Sequence, residues 1–282
     1  MSAINDMLKE IKELRPMPKV ASQIMAIVEE PNSSISDLAD LVIYDPSLTA
    51  MILKTCNSAY FALPRKVDSV QEAISLLGMD QIVDLVLLKG GAENLKTGHE
   101  GYGLHEGELW RQSVASALIA RELAEKKGSG QKHLVFTAAL LKDIGKVILD
   151  RYVGDSFHKI IQLVEKKDFS FREAEKRVIG IDHAELGGIV AKMWEFSPKM
   201  IEIIANHHLS DASGKDDLET GLVYIADTVC MMMGIGGGAD GLAYRFHKDV
   251  LDRMKVSPMD LQEIIASFGE KLKKVEDLIQ VV

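Results

Sequence analysis

The apolar residues of this 282-residue chain recur at intervals of three and four, and strict alternation over strand length is scarce. That spacing lays one stripe along a helix, whereas a half-buried strand needs a period of two. Val20, Ile24, Ile27 and Val28 make one stripe; Val114, Ala117, Leu118, Leu123 and Ala124 make another. Start signals agree with this reading. Pro46, Pro198 and Pro258 follow Asp45, Ser197 and Ser257, an N-cap with proline at the first helical position, where a missing N–H costs nothing. Ser69…Glu72 and Ser170…Glu173 read as capping boxes, and Ser34…Asp37 as an aspartate version. Pro16 and Pro18 precede the first stripe and Pro31 ends it. The pattern predicts an all-α, multi-helical protein.

Glycines divide the chain. Gly90, Gly91, Gly98, Gly101, Gly103 and Gly107 fall in a polar stretch, a poor helix and a good loop. They predict a connection over 90–107 between an N-terminal helical lobe, 1–89, and a larger helical lobe, 108–282. Gly234 to Gly238 predicts a late loop with no following Lys-Ser/Thr, so it is not a phosphate-binding P-loop. Met231-Met232-Met233 reads as core filling. At 47% apolar and 27% charged residues the chain can bury a full core. A net charge of −9 disfavours nucleic-acid phosphates as partners. Cys56 and Cys230 stand far apart and outside any C-x-x-C pair, which argues against a disulfide framework; Cys56 reads as a core residue. Met1 to Arg15 is charged and amphipathic rather than a leader, and no uncharged apolar run approaches the ~18 residues of a membrane span. A cytoplasmic protein without membrane contact is expected.

The larger lobe holds the titratable residues that carry chemistry. Gln112 sits on the helix after the glycine stretch. Lys142 and Asp143 follow the apolar pair Leu140-Leu141 and precede Ile144-Gly145-Lys146. His183 starts a helix within Ile181-Asp182-His183-Ala184-Glu185, and His207-His208 closes the helix that begins at Ser197. Asp227 ends the run Val223-Tyr224-Ile225-Ala226, where a carboxylate needs a partner because an unpaired buried charge is costly. His99, His105, His133, His158 and His247 fit no motif and read as surface or loop residues. Lys146 reads as a solvated helix residue, or joins Lys142 in holding an anion.

In this order the larger lobe resembles the HD superfamily of metal-dependent phosphohydrolases. Those enzymes carry a His on one helix, a His-Asp pair on the next, further His residues in some members, and a final Asp. Asp143, His183, His207, His208 and Asp227 match that pattern; Gln112 stands where the first His belongs, and Lys142 where the His of the pair belongs. The first lobe makes the resemblance more specific. Pro16-Met17-Pro18 with Val20, Asp45-Pro46-Ser47-Leu48-Thr49, Ile52-Leu53-Lys54, Cys56-Asn57-Ser58-Ala59-Tyr60 and Ser69 to Gly78 follow in an order that resembles the HDOD family, the HD-related output domain of bacterial signalling proteins. The resemblance runs from about Pro16 to about Met233. It implies an HD-like helical core with an N-terminal helical lobe, a role in signal transduction, and metal ligands that many members lack.

The two substitutions decide what the resemblance means for activity. An imidazole gives a metal ion a lone pair; an ammonium has none and adds a positive charge. The resembled enzymes hold their first metal with the first His, the His-Asp pair and the last Asp, so only Asp143 and Asp227 remain here, too few for a firm site. Gln112 offers a weak carbonyl ligand, and Lys142 is expected to pair with Asp143 or Asp227. Two-metal members build a second site from the shared Asp and three further His, here Asp143, His183, His207 and His208. Consecutive helical residues diverge by about 100°, so His207 and His208 meet on one ion only where the helix ends, as Ser210 and Asp211 suggest. The expectation is a non-catalytic regulatory protein without a cofactor, binding a signalling partner protein or a small anionic ligand at Lys142 and Lys146. The alternative is a metal-dependent phosphohydrolase acting on a nucleotide or cyclic dinucleotide, with one divalent transition metal: zinc, iron, nickel or manganese.

Overall fold

The computed structural model describes residues 65–167, 169–209, 216–236 and 249–281, shorter stretches at 23–27, 34–43 and 46–58, and a few single positions. Among the described residues there are thirteen α-helices and one 3-10 turn, no strand, and a lone bridge between His99 and Leu104. The all-α expectation holds. No described helix is long and apolar enough to cross a membrane. The chain forms two compact units, one built on Pro16–Ala92 with Ala266–Val282, the other on Glu93–Ile265 with Met1–Arg15.

In the smaller unit, α1 (Ile35–Ile43), α2 (Pro46–Cys56) and α3 (Val70–Leu77) pack on one another. Leu38, Val42, Ile52, Cys56 and Ile74 form their buried core. Ser34 and Asp37 close the aspartate capping box at α1. Ser69 caps α3, but Glu72 turns to Arg65 instead of completing the box. The Asn57 side chain bridges ten residues, donating to the Val67 carbonyl and accepting from its N–H at 2.8 and 2.7 Å. The expected proline signals at Pro16, Pro18 and Pro31, with Val20, Val28, Asp45, Ala59, Tyr60, Ser210 and Asp211, lie outside the described residues.

The glycine pair at 90 and 91 does not end a helix: α4 runs from Met79 through it to Leu95. Two glycines cost roughly 1 kcal/mol each against alanine, and the burial of Leu87, Leu88, Ala92 and Leu95 along the same helix offsets that. The loop proper begins after Leu95 and folds over a 3-10 turn, Glu100–Tyr102.

The larger unit is arranged around α6 (Lys132–Leu141), buried from His133 to Leu141. Around it pack α5 (Glu108–Lys126), α10 (Pro198–Asn206) and α11 (Leu218–Met232). Next, α7 (Ile144–Lys167) carries α8 (Phe171–Ile179) and α9 (His183–Met193), while α12 (Asp249–Arg253) and α13 (Pro258–Val281) follow α11. Ser170 and Glu173 form a full capping box on α8, and Ser197 caps α10 with Pro198 in its first turn. Met232, expected in the core, is 75% exposed at the last residue of α11.

One glycine fixes how closely two of these helices approach. A Cβ on Gly145 would lie 2.0 Å from the His183 carbonyl oxygen and 2.8 Å from the Gly187 nitrogen. The first turn of α7 therefore rests on the backbone of α9. Because the obstructing atoms are backbone, Gly145→Ala is expected to cost about 3 kcal/mol, the upper end of overpacking penalties. Urea unfolding of the variant checks this, and a loss near zero would mean that α7 and α9 are not in this contact.

Candidate functional site

The polar residues singled out in the larger lobe converge at the end of α6. Lys142 caps that helix, and Lys142 and Asp143 fall in the short break between α6 and α7, so their side chains turn inward together. Gln112 comes from the second turn of α5 and Asp227 from α11, both fully or nearly buried. Lys142, completely buried, forms an ion pair with Asp143 and a second with Asp227 at 2.7 Å. Gln112 donates its amide to the same Asp227 oxygen at 3.4 Å. Burial penalises the charge on Lys142, but Asp143 and Asp227 outweigh that and raise the lysine above its ordinary value.

Lys146 departs from the sequence reading. It is 1% exposed rather than solvated, with its ammonium 3.1 Å from Asp143 and 5.6 Å above the Tyr102 ring. One helical turn separates it from Asp143, so the pairing follows from the spacing once both side chains point into the core. Burial works against an ionised Asp143, yet Lys142, Lys146, His207 and His183 together hold it well below the usual carboxylate range.

The histidines form the other half of the cluster. His183 opens α9 behind its N-cap Asp182, and His207 and His208 follow the last residue of α10. His207 is the C-cap of α10, and the ring centroids of His207 and His208 lie 4.1 Å apart. His183 Nε2 and His207 Nε2 each lie 3.8 Å from Asp143 Oδ1, and the His183 and His208 Nε2 atoms are 2.8 Å apart. His207 donates from Nδ1 to the Ile204 carbonyl at 2.7 Å. Burial pushes His207 down to about 3, and His208 is also held well below its ordinary value. Burial acts on His183 too, but Glu175 overrides it and raises that histidine.

Glu175 and Tyr102 were missed from the sequence. Glu175 is fully buried and accepts from His183 Nδ1 at 2.6 Å, while the Tyr102 hydroxyl donates to its other oxygen at 2.5 Å. A signal was present: Phe171, Ala174 and Glu175 stand at i, i+3 and i+4 on the buried face of α8. His99 and His133, expected at the surface, are buried, whereas His105 and His158 are exposed and His247 half-buried. The glycine loop approaches the site as well. A Cβ on Gly236 would lie 2.5 Å from that of Gln112.

The two metal positions of the resembled enzymes fare differently. Between Asp143 and Asp227 the Lys142 ammonium stands where a cation would be shared, so Gln112, Lys142, Asp143 and Asp227 do not fit a metal. His183, His207 and His208 bring one ligand atom each within 4.8 Å of one another, a donor set that does fit.

The HDOD domain model matches residues 14–210. The chain belongs to the HDOD family. Its fold is similar to an HDOD domain protein of unknown function from Geobacter sulfurreducens, with a TM-score of 0.74 at 24% identity over 98% of this chain and 97% of that one. A Marinobacter aquaeolei VT8 protein, provisionally named for signal transduction, gives 0.76 at 22% over 99% of this chain and 66% of its own. A Shewanella amazonensis SB2B protein, provisionally named a phosphohydrolase, gives 0.60 at 20% over 96% and 94%. At these identities the likeness is one of fold. The chain spans 39% and 32% of the lengths of the curated relatives it matches.

Two measurements test the electrostatics. Lys142→Met removes the ammonium and leaves Asp143 and Asp227 facing each other, and breaking such a buried pair is expected to cost about 3–5 kcal/mol in urea unfolding. A loss under about 1 kcal/mol would show that the pair is not desolvated as described. The second test is pH. His207 stays neutral in the folded state down to about 3, while an unfolded histidine takes up its proton near 6.5. The unfolded state therefore binds more protons between those values, and stability falls as pH drops through that window. His207→Gln is expected to flatten the decline between pH 6 and 4 by about 1.4 kcal/mol per pH unit.

Proposed function

We propose that this HDOD protein is a non-catalytic regulator that acts in a signalling pathway by binding a partner protein. The observation that carries this reading is Lys142. Its ammonium lies between Asp143 and Asp227 and neutralises carboxylates that a phosphohydrolase would use to hold a metal. Lys146 is committed to the same carboxylate. With two lysines balanced by two aspartates, this cluster has little positive charge left for a small anion, which favours a partner protein over an anionic ligand. The similarity to a protein provisionally named for signal transduction agrees with the reading.

A second reading has one observation in its favour: the convergence of His183, His207 and His208. In that reading the protein is a metal-dependent phosphohydrolase acting on a nucleotide or cyclic dinucleotide. The chemistry argues against it, because cleavage in this type of site relies on two metals to clamp the phosphate and generate hydroxide. The residues present suit only one.

Purified protein supplied with manganese, nickel or iron is expected to leave phosphodiester and phosphomonoester substrates intact. Metal-dependent turnover that disappears in Asp143→Ala would overturn the regulatory reading. Gln112→His combined with Lys142→His is expected to raise the number of bound metal ions by one per chain, read by elemental analysis, since it rebuilds the four-ligand set.

A further inference from the structure

We infer that the first two turns of α13, residues 258–265, are an ion-operated strap, fastened to the end of α5 by Lys126 and Lys127 and able to open as an intact helical segment when those contacts are screened. The inference goes beyond the regulatory reading and does not rest on it.

Three observations carry it. The first is how little apolar surface seats the segment. Among residues 258–265 only Ile264 is buried; Leu261 is half-buried, and Met259 and Ile265 are exposed. The hydrophobic contribution scales with the apolar area removed from water, so one buried side chain holds the segment weakly. The second is what fastens it instead. Lys127, the C-cap of α5, donates to the Lys255 carbonyl at 2.8 Å and to Asp260 at 2.6 Å, and Lys126 pairs with Glu263. All four side chains keep part of their surface in water, so dissolved salt screens both pairs. The third is where firm packing stops. Just before the strap, Met254 and Val256 are buried, and a Cβ on Gly221 of α11 would lie 2.4 Å from the Met254 sulfur. The end of α12 is thus keyed into α11. The chain leaves it through Lys255 at φ 53°, a left-handed conformation that few side chains adopt unless the surroundings impose it. The pivot falls after Val256, at Ser257.

The capping at that point keeps the segment helical. Asp260 accepts from the Ser257 N–H at 2.8 Å and from its hydroxyl at 2.9 Å, and the Asp260 N–H donates back to the hydroxyl at 3.1 Å. None of these bonds involves a lysine. Losing Lys127 therefore leaves the helix start capped, and the two turns move together instead of unravelling. From Ala266 onward the same helix is counted with the smaller unit, so residues 258–265 are the part of α13 that the larger unit can release.

The test uses the full-length protein carrying Ile264→Cys, with the labelling rate of the introduced thiol as the readout of opening. Cys56 and Cys230, buried in the smaller and the larger unit, report wholesale unfolding in the same sample. Labelling is expected to quicken about threefold between 0.1 and 1 M sodium chloride. Adding Lys126→Met and Lys127→Met is expected to quicken it about tenfold at low salt, the combined worth of two partly exposed ion pairs. Cys56 and Cys230 are expected to stay protected throughout. A spin label on Met259→Cys, an exposed position that leaves Ile264 in place, is expected to gain a mobile component under the same two changes. Hydrogen exchange at 262–265 is expected to stay slow, because the helix opens without melting. Labelling and label mobility that ignore both salt and the lysine substitutions would overturn the strap. So would Cys230 reacting in step with the introduced thiol, which would mean that the segment opens only with the whole unit, or loss of exchange protection at 262–265, which would mean that it unravels.

Discussion

The buried contact of one ammonium with two carboxylates organises the larger unit. Lys142 sits at the end of the central helix α6, Asp143 beside it, and Asp227 on α11, while Gln112 on α5 and Lys146 on α7 reach the same group. Each charge has been taken out of water, and each is tolerable only because the others are present. Well-packed apolar residues would serve stability as well or better. The pairing is therefore better understood as neutralisation of two inward-facing carboxylates by one ammonium.

The same replacement divides the site into two halves of different character. On one side the charges cancel internally. On the other, three histidines stand close together, two of them held neutral by burial and the third oriented by Glu175. The junction is Asp143, which faces both halves but spends both oxygens on lysine. Its separation of 3.8 Å from His183 and from His207 records that division, close enough to tune the histidines but already satisfied.

Much of this was legible in the sequence wherever a local rule governs. The Ser170–Glu173 box, the Ser197–Pro198 start and the three-four stripe of α5 depend on neighbours within one or two turns, and they appear where the spacing puts them. The partners of Lys142 were also legible, since a cation beside Asp143 in an apolar run has few ways to be satisfied. Where long-range packing competes with a local preference, the local rule loses. The Gly90–Gly91 pair stays helical because apolar residues on the same helix are buried. Lys146 turns inward because Asp143 and the Tyr102 ring await it.

Taken alone, the sequence determined the helical class, the capping points, and which ligand positions of the resembled enzymes had changed, because periodicity and residue identity are local properties. The tertiary structure decided the rest. It brought Glu175 and Tyr102 behind His183 from positions 8 and 81 residues away, a distance no spacing rule spans. It also brought the rings of His207 and His208, just past the end of α10, up to His183 at the start of α9. Burial, finally, made Lys142 a fixed internal cation instead of a surface charge, since only a desolvated ammonium must remain with its carboxylates.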